Sequence, residues 1–85
     1  MFYVYILKLA NKQCYTGYTA NLKQRIDEHK RGLVKSTSSK GPVTLIHYEA
    51  YTEKTDAQRR ERYLKTTRGK QLLRQQIRDL LNKLR

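Results

Sequence analysis

The chain has 85 residues, with nineteen Lys and Arg against seven Asp and Glu, for a formal charge of +12. A chain this short buries only about 60–65% of the surface its unfolded form exposes, so its core is thin; there is little room for a deep pocket and no small-molecule cofactor is expected. Self-repulsion of this size makes a polyanion the natural partner, and without Trp or a basic helix carrying a bulky aromatic face, nucleic acid is expected ahead of an anionic membrane.

No apolar run approaches a membrane span, and "MFYVYIL" at the N-terminus has neither a positive n-region nor a small-residue cleavage site. A single domain over 1–85, cytoplasmic and unprocessed, is the expectation. Cys14 is the lone cysteine and can neither close an internal disulfide nor assemble a four-ligand zinc site, so it reads as a small apolar strand residue.

"FYVYILKL", Phe2 to Leu9, is dense in β-branched and aromatic residues and runs into the polar "ANKQ", a strand entering a hairpin. The return strand spans about Gln13 to Tyr18, with Gly17 where a side chain would obstruct a close backbone approach. In "NLKQRIDEHKRG", Asn21 and Gln24 make a capping-box-like pair and Gly32 supplies the stop. Leu22, Ile26, His29 and Leu33 form the stripe expected to face the sheet, and Arg25 falls on or beside it.

"GLVKSTSSKGP", Gly32 to Pro42, has no periodicity and reads as a mobile loop within reach of phosphates; "VTLIHYEAY", Val43 to Tyr51, reads as a third strand. Thr55 and Gln58 suggest a second capping box, opening a helix in which Ala57, Glu61 and Leu64 share a face and set a carboxylate where apolar residues belong. Gly69 is expected to separate that helix from a last one striped by Leu72, Leu73, Ile77, Leu80, Leu81 and Leu84. Ten basic and two acidic residues lie between Ala57 and Arg85.

Tyrosines at strand ends, an arginine beside a buried stripe and a glutamate within another are parts that phosphodiester chemistry uses. A carboxylate holds Mg²⁺, an arginine neutralises charge building on phosphate, and a positioned phenol takes a proton from water. Taken singly, each tyrosine is ordinary strand packing, and Glu61 is an i,i+4 partner for Lys65. The ordered set is more specific. With Tyr3-Val4-Tyr5, Tyr15-Thr16-Gly17, Arg25 ten residues after Tyr15, and "RRERYLK", the chain resembles the GIY-YIG nucleases from Phe2 to about Leu73. It is most similar to their small stand-alone branch, although Tyr3 replaces the glycine and Val4 the isoleucine of the first motif, and Thr16 the isoleucine of the second.

The resemblance implies an α+β fold, a small three-stranded antiparallel sheet flanked by helices with a C-terminal amphipathic helix. It also implies a DNA endonuclease using one Mg²⁺ or Mn²⁺ ion. Tyr5 would be the general base, Tyr15 would orient water or phosphate, and Arg25 would stabilise the pentacovalent phosphate. His29 would relay the proton from Tyr5, and Glu61 would be the protein's metal ligand. Metal, Arg25 and His29 together would have to lower the phenol's pKa. Gly17, Tyr18, Lys35, Lys40, Arg60 and Lys65 are the expected nucleic-acid contacts. DNA is expected ahead of RNA, and DNA structure ahead of base sequence. The competing class is a noncatalytic module in which Tyr18, Tyr48 or Tyr51 stacks on bases; a third is a basic protein docked into a ribonucleoprotein by its last helix.

Overall fold

The strand β1, Phe2–Lys8, lies between β2, Cys14–Thr19, and β3, Thr44–Tyr51, and pairs antiparallel with both. The computed structural model describes residues 1–84; Arg85, the last residue of the expected domain, lies outside them. With a partner on each edge, β1 is covered on both faces, and Val4, Tyr5, Ile6 and Leu7 are each no more than 1% exposed. Burial of such side chains contributes about 1.5–3 kcal/mol apiece, which makes this strand the main source of core stability.

Alternation along β1 separates two cores. Val4 and Ile6 pack with Ala57, Leu64 and Leu73, beneath α2, Lys54–Leu64, and α3, Thr67–Gln76. Tyr5 and Leu7 pack with Leu9, Ile26 and Val43 on the opposite face, beneath α1, Leu22–Lys30. The sheet is therefore the middle of three layers, and the α+β architecture expected from the sequence is the one observed. In β3 the register slips between Ile6 and Leu7, so that Ile46 is an extra residue; the bulge brings Ile46 into the Val4 and Ile6 core.

Several local expectations are corrected. Gly32 adopts φ 73° and ends α1 before Leu33, which is 62% exposed and leaves the inward stripe. The segment Gly32 to Pro42, expected to be mobile, is tied down: Val34 and Thr37 are buried, and the Ala10 amide donates to the Lys40 carbonyl. Cys14 lies in β2 but is exposed instead of packed. No Thr55 capping box forms, because the chain turns helical directly after β3 and α2 starts at Lys54, which puts Thr55 inside the first turn.

Gly69 is not a helix boundary either. Thr66 caps α3 by accepting from the Gly69 amide, and Gly69 sits inside the helix because a side chain there would collide with the Tyr63 carbonyl. The anticipated last helix is interrupted at Ile77, whose φ of −112° and ψ of 26° divide α3 from α4, Arg78–Lys83. Its apolar stripe still runs through Leu73 and Ile77 to the sheet, while Leu72 is 45% exposed.

A polar clamp joins β3 to α2. Glu49 accepts from the Tyr51 hydroxyl at 2.7 Å and from Arg60 at 2.9 and 3.2 Å, and His47 Nε2 lies 3.0 Å away. Burial works against ionisation of Glu49, but its bonds to Arg60, His47 and Tyr51 outweigh it and hold the carboxyl at about 2. Burial and that carboxylate push the Tyr51 phenol up to about 12. A depressed carboxyl stabilises the fold above its unfolded pKa, and the contribution is lost as pH falls through the folded value. Glu49→Gln should therefore cost about 2–4 kcal/mol at pH 7, a penalty that shrinks as the pH drops from 4.5 towards about 2. Urea unfolding across that range checks this, and a penalty independent of pH would exclude the clamp as a charged one.

Candidate active site

The start of α1 is fixed by Asn21, whose Oδ1 accepts from the Gln24 amide at 3.1 Å while its Nδ2 donates to Gln24 Oε1 at 3.3 Å. The expected cap forms, and it sets the rotation of the helix on the sheet. Ile26 and His29 turn inward, and Arg25 is left at the side with 38% of its side chain exposed.

His29 is 2% exposed and meets Tyr5, with Nε2 2.8 Å from the phenol oxygen. Its Nδ1 is 2.7 Å from Oγ1 of Thr37, itself 1% exposed. Burial, then the charge of Arg25, lowers the His29 pKa below its ordinary 6.5, so the ring is neutral at pH 7. Arg25 lies close enough to the Tyr5 oxygen to oppose the rise of the phenol's pKa, and its Nη1 donates to Glu28 Oε1 at 3.1 Å. An assignment that satisfies every group has Tyr5 donating to His29 Nε2 and Nδ1–H donating to Thr37.

The expected depression of the Tyr5 pKa is not found in the protein alone. Burial raises it above 10; Arg25 opposes that, while the charges of Tyr15 and Glu61 push further up. Tyr5 is accordingly a protonated phenol at neutral pH. Its ring crosses the space beside Gly17, opposite it in the β1–β2 register, and a side chain at Gly17 would run into the Tyr5 Cζ and hydroxyl. The glycine of the second motif is thus required by the tyrosine of the first. Tyr15 completes a cluster of three rings, 5.3 Å from His29 and 6.4 Å from Tyr5 between centroids.

Glu61 stands on α2 between buried Ala57 and Leu64, with 22% of its side chain exposed and Lys65 Nζ 3.2 Å away. Its carboxylate is near enough to act on the Tyr5 proton. Among the described residues no group of three or more His, Cys, Asp or Glu gathers to hold a metal. A lone carboxylate fits a hard cation that takes one or two protein carboxylates and completes its shell with water and substrate phosphate, which is how Mg²⁺ binds; it does not fit zinc.

The other expected contacts are dispersed. Lys35 and Lys40 are exposed on the loop beyond α1. Tyr18 packs half-buried against the Val4 and Ile6 core on the opposite face of the sheet. Arg60 donates to both oxygens of Glu49 through Nε and one terminal nitrogen, with 28% of its side chain exposed. Three participants escaped sequence reasoning. Glu28, 3.1 Å from Arg25, was legible as an i,i+3 partner. Thr37, and Ser36 donating to the Tyr15 hydroxyl at 3.2 Å, lie in a polar stretch whose pattern distinguishes no position.

The family model described as the GIY-YIG catalytic domain matches residues 1–75. A UPF0213 protein of Clostridium perfringens is 46% identical over 74 residues, covering 85% of this chain and 80% of that one. A UPF0213 protein of Natronomonas pharaonis is 42% identical over 65 residues, covering 75% and 76%. Among solved structures, the solution NMR structure of a UPF0213 protein from Bacillus halodurans is similar with a TM-score of 0.55 and 38% identity, over 86% of this chain and 82% of that one. Tyr5 set against Gly17, in a match that takes in nine-tenths of the described residues, leaves one placement: the chain belongs to the GIY-YIG family.

Proposed function

We propose that the protein is a divalent-metal-dependent endonuclease that hydrolyses DNA phosphodiester bonds, with Tyr5 as general base. The observation that carries this reading is the line from Tyr5 through His29 to Thr37, which gives the proton of a buried phenol somewhere to go. Direct loss of that proton to solvent is unfavourable, since a phenol of pKa 10 or above is about 0.1% ionised or less at pH 7. In the concerted alternative, water attacks phosphorus and gives its proton to Tyr5 as Tyr5 passes its own to neutral His29, while the P–O ester bond opposite the attacking water breaks and the departing strand oxygen takes a proton from solvent. Arg25, held firmly protonated by Tyr5 and Glu28, faces the charge that develops on the phosphate. Tyr15, fixed by Ser36, orients the attacking water.

Glu61 would hold the metal, and the bound ion would supply Lewis-acid stabilisation of phosphate charge. Thr37 positions His29: by accepting from Nδ1–H it keeps Nε2 unprotonated and able to receive. Because Tyr5 and His29 are 1% and 2% exposed, the scissile phosphate has to bend in towards them. Nicked, branched or single-stranded DNA does so at lower cost than continuous duplex, which supports a preference for structure over sequence.

The direct test is cleavage of a labelled panel of single-stranded, duplex, nicked and branched DNA, and of RNA, in Mg²⁺ or Mn²⁺ against EDTA. Glu61→Gln should abolish metal-dependent products with little change in binding; cleavage retained in that variant excludes the metal assignment. Tight binding with no products from the wild type would leave a noncatalytic module on this fold.

The rate should fall as pH drops through the pKa of His29, below 6.5, because only the neutral ring accepts a proton. Thr37→Val should lower the plateau rate above that limb by about tenfold or more, by freeing the ring to take the wrong tautomer. Thr37→Ser should restore it. A pH–rate profile of the three proteins, with nitrogen NMR shifts of His29, decides between this and a role for Thr37 in folding alone, which would leave the tautomer unchanged.

A further inference from the structure

On the far side of α1 from the β2 edge, an open groove of about 940 Å³ lies between the helix and β3. Its floor is Tyr3, Tyr48 and Leu45, and Leu22, Lys23 and Lys30 form the wall. The two tyrosines meet edge to face with centroids 6.3 Å apart. Neither belongs to either core, and Tyr48 is 54% exposed in the middle of a strand. Packing therefore does not account for them.

The surroundings select the occupant. Lys23 and Lys30 are exposed, seven residues apart on one face of α1, about 10.5 Å along the helix axis, and have no acidic partner among the described residues. Asp27, the acidic residue of the wall, is drawn to Arg31 at 3.6 Å. The first turn of α1 carries no acidic side chain. The groove also meets the surface that holds Arg25 and Glu28, since both are bordered by Ala20, Asn21 and Gln24.

We infer that the Tyr3–Tyr48 groove is a subsite for an unpaired nucleobase of the bound strand, stacked on Tyr48, with Lys23 and Lys30 on the flanking phosphates. A strand engaged at Arg25 crosses the start of α1 to reach it. The inference rests on the nuclease reading for its ligand but not on cleavage, and it adds a stacking site to a centre that otherwise contacts phosphate alone. A π-face accepts any base, so the subsite selects unpaired strand without selecting sequence.

The test uses the full chain without divalent metal, so that nothing is cut, and a single-stranded DNA oligonucleotide carrying 2-aminopurine at successive positions. One position should be quenched on binding. Tyr48→Ala should lose that quench and weaken affinity at least about fivefold, while Tyr48→Phe keeps both. Lys30→Gln should reduce the slope of log affinity against log salt by about one. Unchanged affinity and quench in Tyr48→Ala would overturn the subsite and leave the nuclease reading standing. Failure of the wild type to bind any nucleic acid would overturn both. Dimerisation of the wild type that is lost in Tyr48→Ala, with DNA binding intact, would assign the groove to a second copy of the chain and overturn the inference.

Discussion

The 2.8 Å contact between Tyr5 and His29 joins the central strand to the helix above it, and the geometry of one face follows from it. Both groups are buried, so neither has water as an alternative partner, and breaking the bond would leave a polar atom unsatisfied at a cost of about 1–3 kcal/mol. For the phenol to reach that far its ring must pass beside β2, which demands a residue without a side chain at position 17. For the imidazole to be there, α1 must begin where Asn21 caps it, since a different start would rotate His29 away from the sheet. Motif spacing in the sequence is thus the record of one three-body packing problem.

The same burial orders the protons. A dry environment penalises both charged forms, raising Tyr5 and lowering His29, so the resting pair is neutral phenol beside neutral imidazole. That state needs no counter-ion, and it leaves Arg25 as the cation facing the phenol oxygen. Thr37 closes the line at its inner end, with its hydroxyl 2.7 Å from Nδ1. Approach of a phosphate and a metal would alter the balance from the outer end, where Glu61 and Arg25 have 22% and 38% of their side chains exposed.

The strands and α1 were legible because their signals are local: aromatic and β-branched runs, an Asn cap and a glycine stop. The sequence also carried the order of Tyr5, Tyr15, Gly17, Arg25, His29 and Glu61, although it did not reveal that Gly17 exists for the ring of Tyr5. What it concealed depends on tertiary closure. Gly69 reads as a breaker, yet it permits the close approach of α3 to the end of α2, so the helix persists through it. Thr37 reads as one more small polar loop residue, because its partner is eight positions away across a turn. Nothing in the sequence signals that Arg60 pairs with Glu49, which lies beside His47 and Tyr51 on β3. In the protein alone the phenol is held up because desolvation, invisible in a sequence, outweighs the nearby arginine.

Distribution of charge separates holding the fold from meeting a polyanion. The acidic residues in ion pairs are matched mainly to arginine: Asp27 to Arg31, Glu28 to Arg25, Glu49 to Arg60 and Asp56 to Arg59. Arginine suits that role through its planar, multi-donor head, whereas lysine offers a hydrated point charge on a flexible stem. Lys23, Lys30, Lys35 and Lys40, exposed on α1 and the loop behind it, have no acidic partner among the described residues. They surround the helix that presents Arg25 and His29, and cations without partners exchange condensed counter-ions for phosphates without first breaking an internal bond. Four of the nineteen basic residues are thereby left, among the described residues, as unpaired lysines around α1, the other contributions to the +12 charge lying elsewhere on the chain.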